Sequence, residues 1–324
     1  MGKHALLSAS SSHRWLNCPP SARLCEKYED TGSEYAQEGT DAHSLCEYKL
    51  KQALGMDAAD PTENLSFYNE EMEQCALDYA AYVLELVEDA KKTCKDPVVL
   101  IEQRLDFSRF VKDGFGTGDC VIIADGTLDI VDYKHGKGVE VSAVENPQMM
   151  LYALGALELF DGIYDIDTVR MTIFQPRRDN VSVCVMAKDD LLQWAYNDLT
   201  YKAKLAYEGG GEFACGDWCR FCKAALGEAI AGGGGSAADM AGMAAGLAIG
   251  QQMAAQMAGG AGSGTAWQSG SQAAGGSAAA SVPGAQTAPG AGQPQPGAIP
   301  NFCPNCGTKT NGMRFCGNCG YKLV

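Results

Sequence analysis

Charge is nearly absent from one long stretch of this chain. Residues 229–300 contain a single charged residue, Asp239, and 18 of the 39 glycines of the protein. Such a composition cannot bury enough apolar surface to offset the entropy lost on ordering. We therefore expect a disordered Gly/Ala-rich linker over 229–300, in which a short helix can form over 237–258. That helix has few large apolar side chains, which argues against membrane insertion.

Basic residues are also fewer than acidic residues. Lys and Arg number 25 against 40 Asp and Glu, so the formal net charge is −15. Because the residues after 228 include three basic residues and one acidic residue, residues 1–228 carry −17. This excess excludes a protein that coats nucleic acid through a broad basic face. It does not exclude a nuclease, because carboxylates build metal sites and bound ions reverse the local charge.

The N-terminus lacks a long apolar run as well. The opening residues, MGKHALLSASSSHRWLNCPP, hold no segment typical of a secretion signal. We therefore expect a cytoplasmic protein. Because the cytoplasm keeps thiols reduced, we expect the 14 cysteines to be metal ligands or buried thiols rather than to form disulfides.

Sequence periodicity predicts an α/β domain over residues 1–228. The order of elements is helices, three strands, a helix, two strands and a helix. The predicted helices cover about 12–18, 42–51, 70–90, 148–160 and 189–207, and the predicted strands cover 98–105, 119–124, 127–133, 169–174 and 181–185.

Acidic residues gather on the three central strands. Glu102 lies on the first, Asp119 opens the second, and Asp132 and Lys134 end the third. Positions two apart in a strand share a face, so Asp132 and Lys134 project together. Carboxylates bind Mg²⁺ or Mn²⁺, and a nearby lysine orients the water that attacks phosphorus. From the residues alone, a surface ion pair between Asp132 and Lys134 stays open as an alternative.

Two further groups of residues have two interpretations each. His43 and Glu47 lie four apart and share a helical face, so His43 is either a metal ligand, which favours Mn²⁺, or an ordinary polar helix residue. Arg177 and Arg178 either grip a phosphate or form a solvated hairpin tip.

Five segments occur in an order that resembles RecB-type nucleases of the PD-(D/E)XK superfamily. The similarity is greatest to a phage and prophage branch, the domain of unknown function 2800 family, and it covers about residues 5–224. Each motif alone is weak, but five in order are specific. The segments are Gly39-Thr-Asp-Ala-His43, Glu102, Gly118-Asp119, Asp132-Tyr-Lys134 and Gln148-Met-Met-Leu-Tyr152.

The resemblance implies a restriction-endonuclease-like core, a central mixed sheet flanked by helices, and hydrolysis of DNA strands. It implies that Asp119, Asp132 and His43 are metal ligands and that Lys134 assists the attacking water. Glu102 is then either catalytic or an ordinary edge-strand residue. The remaining two residues, Gln148 and Tyr152, either support the DNA and the site or pack one helix on the sheet.

Four cysteines resemble an iron–sulfur site. Several RecB-type nucleases join their two ends through a [4Fe–4S] cluster with one N-terminal and three C-terminal cysteines. The similarly placed residues here are Cys18, Cys215, Cys219 and Cys222. The family pattern has another cysteine where this chain has Glu228, so Cys215 substitutes for it or the site is incomplete.

A second cysteine motif ends the chain. Cys303 and Cys306 form one Cys-x-x-Cys pair, and Cys316 and Cys319 form another after nine intervening residues. Four thiolates at this spacing form a closed structural Zn²⁺ site with no position for catalytic water. We predict a zinc ribbon over 301–324, similar to the tails of SPFH-type scaffold proteins.

Two functions are consistent with these residues. The first is a Mg²⁺- or Mn²⁺-dependent deoxyribonuclease that acts on DNA in phage or prophage processing or recombination. The second is a non-catalytic scaffold that binds DNA or protein, with the zinc ribbon recruiting a partner protein.

Overall fold

The structure, a computed structural model, describes residues 5–28 and 32–224. The predicted linker over 229–300, with its helix over 237–258, lies outside the described residues. So does the predicted zinc ribbon over 301–324, including Cys303, Cys306, Cys316 and Cys319.

The helices and strands follow the predicted order. The helices are α1 (Ser12–Asn17), α2 (Ser21–Cys25), α3 (Glu34–Ala53), α4 (Glu70–Ala90), α5 (Pro147–Phe160), α6 (Lys188–Trp194) and α7 (Thr200–Glu208). The strands are β1 (Val98–Asp106), β2 (Phe115–Ala124), β3 (Gly126–Tyr133), β4 (Ile166–Gln175) and β5 (Asn180–Ala187). No helix within the described part of the chain combines the length and apolar character needed to cross a bilayer.

The strands form one mixed sheet with the order β1-β2-β3-β4-β5. All neighbours are antiparallel except β3 and β4, which are parallel and joined through α5. A parallel pair needs such a crossover connection. The prediction of an α/β domain with a central mixed sheet between helices is confirmed.

Helices cover both faces of the sheet. On one face, α3 and α4 pack Leu45, Tyr79 and Val83 against strand residues such as Ile122. On the other face, α5 packs with α1, α6 and the elements around them. Since β3 lies in the middle and is buried on both faces, its sequence shows no simple alternation of apolar and polar residues.

Several elements differ in extent from the prediction. Helix α3 begins eight residues before Ala42, where the Ser33 hydroxyl accepts a hydrogen bond from the Ala36 backbone N–H. Strand β2 begins at Phe115 rather than Asp119. The predicted helix over 189–207 contains a π-helical turn, Ala195–Leu199, between α6 and α7.

Strand β1 changes the face to which its side chains point. Leu100 and Leu105 pack in the same core, on the α5 side, although residues five apart in a regular strand face opposite ways. The break lies at Glu102, which has a φ of 51°. On β2, a Cβ added to Gly118 would lie 2.9 Å from Leu105 Cδ1 and 3.6 Å from Val121 Cγ2, so this strand shifts phase as well.

Two helical glycines provide a matched test of packing. A Cβ on Gly155 of α5 would lie 2.9 Å from Leu105 Cβ and 3.1 Å from the Leu105 carbonyl carbon, whereas one on Gly39 of α3 would meet nothing within 4 Å. We expect Gly155→Ala to destabilise the domain by about 1–3 kcal/mol, because backbone cannot move aside cheaply. Gly39→Ala is expected to stabilise it by about 0.5–1 kcal/mol. Chemical denaturation measures both, and equal effects of the two changes would contradict the packing described.

Candidate metal and active site

Three potential metal ligands converge midway along β1 and β2, next to the C-terminal end of β3. One ligand atom each from His43, Glu102 and Asp119 lies within 4.8 Å of the others. His43 comes from the middle of α3, and its Nδ1 lies 3.3 Å from Asp119 Oδ1. An imidazole nitrogen with two carboxylate oxygens is a set of ligands suited to a divalent transition metal.

The left-handed backbone at Glu102 brings its carboxylate into this group. Glu102 and Asp119 face each other between the paired positions Ile101–Cys120 and Gln103–Gly118, but they do not pair themselves. A non-glycine residue in this region of backbone space costs about 1–2 kcal/mol. Such strain persists where surrounding structure enforces it, frequently at functional sites.

Asp119 is fixed from the neighbouring strand. Its Oδ2 accepts a hydrogen bond of 2.7 Å from the Tyr133 backbone N–H, while its Oδ1 faces His43. Asp119 therefore has one oxygen committed to the protein backbone and the other directed at the candidate ligand group.

A second set of side chains lies beside the first, on the α5 side of the sheet. Lys134 Nζ lies 2.7 Å from Asp132 Oδ2. Gln148 donates from Nε2 to Asp132 Oδ1 at 3.0 Å and to the Tyr152 hydroxyl at 3.1 Å. Gln148 also accepts from Lys134 Nζ at 3.3 Å. Because the Asp132 side chain is only 3% exposed, the alternative of a surface ion pair is wrong.

Charges within the site shift the pKa values of its members. Burial lowers the pKa of His43, but the Asp119 carboxylate outweighs it and raises this pKa to about 9. Burial and the nearby Asp119 raise the pKa of Glu102 to about 7. Despite burial, His43 and Lys134 hold the pKa of Asp119 below its usual value. His43 must lose its proton before it can bind a metal, so metal binding is coupled to proton release.

Asp132 and Lys134 also stabilise each other's charges. Burial raises the pKa of Asp132, and the Lys134 ammonium opposes this shift only in part. Burial lowers the pKa of Lys134, but Asp132 and Asp119 more than reverse that effect. Lys134 is therefore a cation at neutral pH, held between two carboxylates.

Every residue predicted for the main site lies in one continuous cluster, but the arrangement differs in one respect from the expected ligand set. The group of mutually close ligand atoms contains Glu102 and does not contain Asp132. Asp132 instead lies with Lys134, Gln148 and Tyr152. Glu102 lies on the edge strand β1, and its left-handed backbone directs its carboxylate into the site.

A model of the family described as "Protein of unknown function (DUF2800)" matches residues 4–229, more than two thirds of the chain. The chain belongs to this DUF2800 family. A solved structure with some similarity to it is the crystal structure of SSO0001, at 13% identity, covering 56% of this chain and 93% of that chain with a TM-score of 0.23.

The DUF2800 domain contains a polar network behind the site that sequence reasoning missed. The Tyr133 hydroxyl lies 2.8 Å from His135 Nδ1, and His135 Nε2 lies 3.4 Å from Glu38. The Arg177 guanidinium forms ion pairs with Glu38 at 2.8 Å and with Glu71 at 3.1 Å. Arg177 is therefore occupied by carboxylates at the starts of α3 and α4 and does not form a solvated hairpin tip.

Cysteines from the two ends of the DUF2800 domain contact one another. Burial raises the pKa of Cys215, and the nearby thiols of Cys219 and Cys18 add to that shift. The Sγ of Cys222 lies 3.6 Å from Cys25 Sγ. A hydrogen bond between these two thiols lowers the pKa of Cys25 to about 6. The two residues are 197 apart in the chain, and no motif spacing indicates their contact.

The ligand group predicts a measurable metal affinity. We expect Mn²⁺ to bind the full chain, and Glu102→Gln to weaken that binding by more than about tenfold, since even residues that only support ligands contribute that much. Isothermal titration calorimetry measures the affinity. The control is Glu73→Gln, which removes a carboxylate that pairs with Lys49 instead. Equal Mn²⁺ affinity in Glu102→Gln and the wild type would exclude Glu102 as a ligand.

Proposed function

We propose that this DUF2800 domain is a metal-dependent deoxyribonuclease with a restriction-endonuclease-like core, acting in phage or prophage DNA processing or recombination. The observation that carries the proposal is the convergence of His43, Glu102 and Asp119 beside the buried Asp132–Lys134 pair. A metal-dependent hydrolase that acts on phosphodiesters combines a cation-binding group with a positioned proton donor or acceptor.

The residues present fit a divalent cation. Ligand atoms within 4.8 Å of one another can reach a shared ion, and mixed nitrogen and carboxylate ligands suit Mn²⁺ as well as Mg²⁺. His43, Glu102 and Asp119 would hold it, with Asp132 close by across the β2–β3 ladder. When bound, such an ion would polarise a phosphoryl oxygen and neutralise developing negative charge.

Lys134 is placed to orient water or phosphate. An ammonium group has three N–H donors. Gln148 accepts one of them and Asp132 forms an ion pair with the ammonium, so donor capacity remains for the attacking water or a phosphate oxygen. Gln148 fixes the position of Lys134 and Asp132 together, and burial keeps the Tyr152 phenol neutral by raising its pKa. Tyr152 thus supports Gln148 as a neutral hydrogen-bonding partner.

Two further cofactors belong to the proposal. Structural zinc is assigned to the four cysteines of 301–324, which would hold a ribbon able to recruit a partner protein. A [4Fe–4S] cluster is assigned to Cys18, Cys215, Cys219 and Cys222, joining the ends of the domain and closing a long loop of chain.

Cleavage assays test the nuclease proposal directly. We expect the wild type to cut DNA in Mn²⁺, and Lys134→Ala and Asp132→Ala to lower the rate by at least about a hundredfold, in line with the loss of a positioned catalytic group. The substrates are labelled single- and double-stranded DNA, analysed on gels.

The control for cleavage is Lys188→Ala, which removes an ammonium that pairs with Asp161. Its rate is expected to match the wild type. If purified wild type cuts neither substrate, or if the Lys134 and Asp132 variants cut as fast as the wild type, the enzyme proposal fails.

Metal analysis tests the two cysteine sites separately. Anaerobically purified protein is expected to contain about one zinc and about four iron atoms per chain, measured by plasma mass spectrometry. Loss of zinc in Cys303→Ser and loss of iron in Cys219→Ser would assign each metal to its site. Folded wild-type protein without iron would remove the cluster and leave the nuclease proposal intact.

A further inference from the structure

Arg104 differs from most other arginines of the domain. Five arginines form ion pairs with carboxylates, namely Arg23, Arg109, Arg170, Arg177 and Arg178. Across residues 5–28 and 32–224, Arg104 forms no such ion pair although its side chain is exposed. The Arg104 charge helps to lower the pKa of Asp106, two residues along β1, but the two side chains form no ion pair.

Phe115 holds this guanidinium in place. The Arg104 Cζ atom lies 3.6 Å from the centroid of the Phe115 ring, a close cation–π contact. Stacking restricts the flexible side chain while its N–H groups, which lie in the plane of the guanidinium, stay directed away from the ring. Arginine presents five donors in a rigid fork that matches two phosphate oxygens. The group is thus ordered in advance and has donors available.

The reversed side-chain alternation at Glu102 determines the face of the sheet to which the Arg104 side chain points. Since Leu105 packs on the α5 side, its neighbour Arg104 faces the α3 side, the side from which His43 enters the site. Phe115 faces the same way, because a Cβ on the adjacent Gly116 would lie 2.6 Å from Tyr152 of the α5 layer. Arg104 is two residues from Glu102 along β1, a distance of about 7 Å along the strand.

The charge of the site creates a need for a cation at this position. Glu102 and Asp119 repel a nucleic-acid backbone, and Lys134 is already held by Asp132 and Gln148. The exposed residue opposite Arg104 in the ladder is Thr117, which adds a hydroxyl donor and no negative charge. The end of the β1–β2 ribbon therefore carries one ordered guanidinium, with Glu102 and Asp106 two residues before and after it on β1.

We propose that Arg104, stacked on Phe115, binds a backbone phosphate of the DNA strand adjacent to the phosphate that is cleaved. This inference rests on the proposed nuclease function and extends it by assigning a residue that positions the substrate. Arg104 contacts the strand outside the reacting atoms, so its removal weakens binding to the same extent for every DNA sequence.

Fluorescence anisotropy with a labelled oligonucleotide tests the proposal in the full chain. Ca²⁺ replaces Mn²⁺, and gels verify that the oligonucleotide stays intact. We expect Arg104→Gln to weaken binding about tenfold, as for one charge-assisted contact. It should also lower the slope of log affinity against log salt concentration by about one. Arg104→Lys should keep the slope and lose part of the affinity, because lysine keeps the charge but lacks the planar fork.

The matched control is Arg109→Gln. Arg109 is also exposed and contacts aromatic rings, but it pairs with Glu158 on α5, on the opposite layer. It should leave affinity and slope unchanged. A structural role for Arg104, limited to covering Phe115, would lower thermal stability without changing the salt slope and would overturn the proposal.

The outcomes separate this inference from the function on which it rests. If the wild type binds DNA and Arg104→Gln lowers the slope, but the wild type cleaves nothing in Mn²⁺, the phosphate contact stands and the nuclease proposal fails. If the wild type cleaves and Arg104→Gln binds and cuts as the wild type does, only the phosphate contact is lost. Absence of DNA binding by the wild type would also overturn it.

Discussion

The backbone conformation of Glu102 is the constraint on which the rest of the site depends. A single left-handed residue within β1 reverses the alternation of side chains along the strand. Even-numbered positions before it and odd-numbered positions after it therefore face the same helical layer. Leu105 thereby reaches the core beneath α5, Glu102 joins His43 and Asp119, and Arg104 turns toward α3. A regular strand could place at most part of this set, since strict alternation would separate Leu100 from Leu105.

The site lies at the C-terminal end of β3, beside the middle of β1 and β2, and takes side chains from both helical layers. The α3 layer supplies His43, and the α5 layer supplies Gln148 and Tyr152. Strands β2 and β3 supply the acidic and basic groups between them. Asp119 lies against His43 and Asp132 against Lys134, which is how buried ionised groups are tolerated in folded proteins. The cost of burying Asp132 is offset by Lys134 and Gln148 together, and loss of either partner would leave that carboxylate poorly compensated.

Much of this arrangement was predictable from local sequence. Helix α4 has the predicted bounds because its apolar residues repeat at helical spacing and Asn69 caps its first turn. The proximity of Asp132 to Lys134 followed from strand alternation. The role of Glu102 could not be predicted from alternation, because its position depends on a left-handed φ that no neighbouring glycine signals. The network from Tyr133 to Arg177 joins residues far apart in the chain, and no spacing rule indicates such contacts.

Tyr133 supports two candidate ligands from one residue. Its backbone N–H holds Asp119, its ring meets the edge of His43 at a centroid distance of 5.6 Å, and its hydroxyl reaches His135, which contacts Glu38 at the start of α3. Through this one residue of β3, the backbone contact to Asp119 and the ring contact to His43 join the strand to both candidate ligands, so a substitution at position 133 would disturb the carboxylate and the imidazole together.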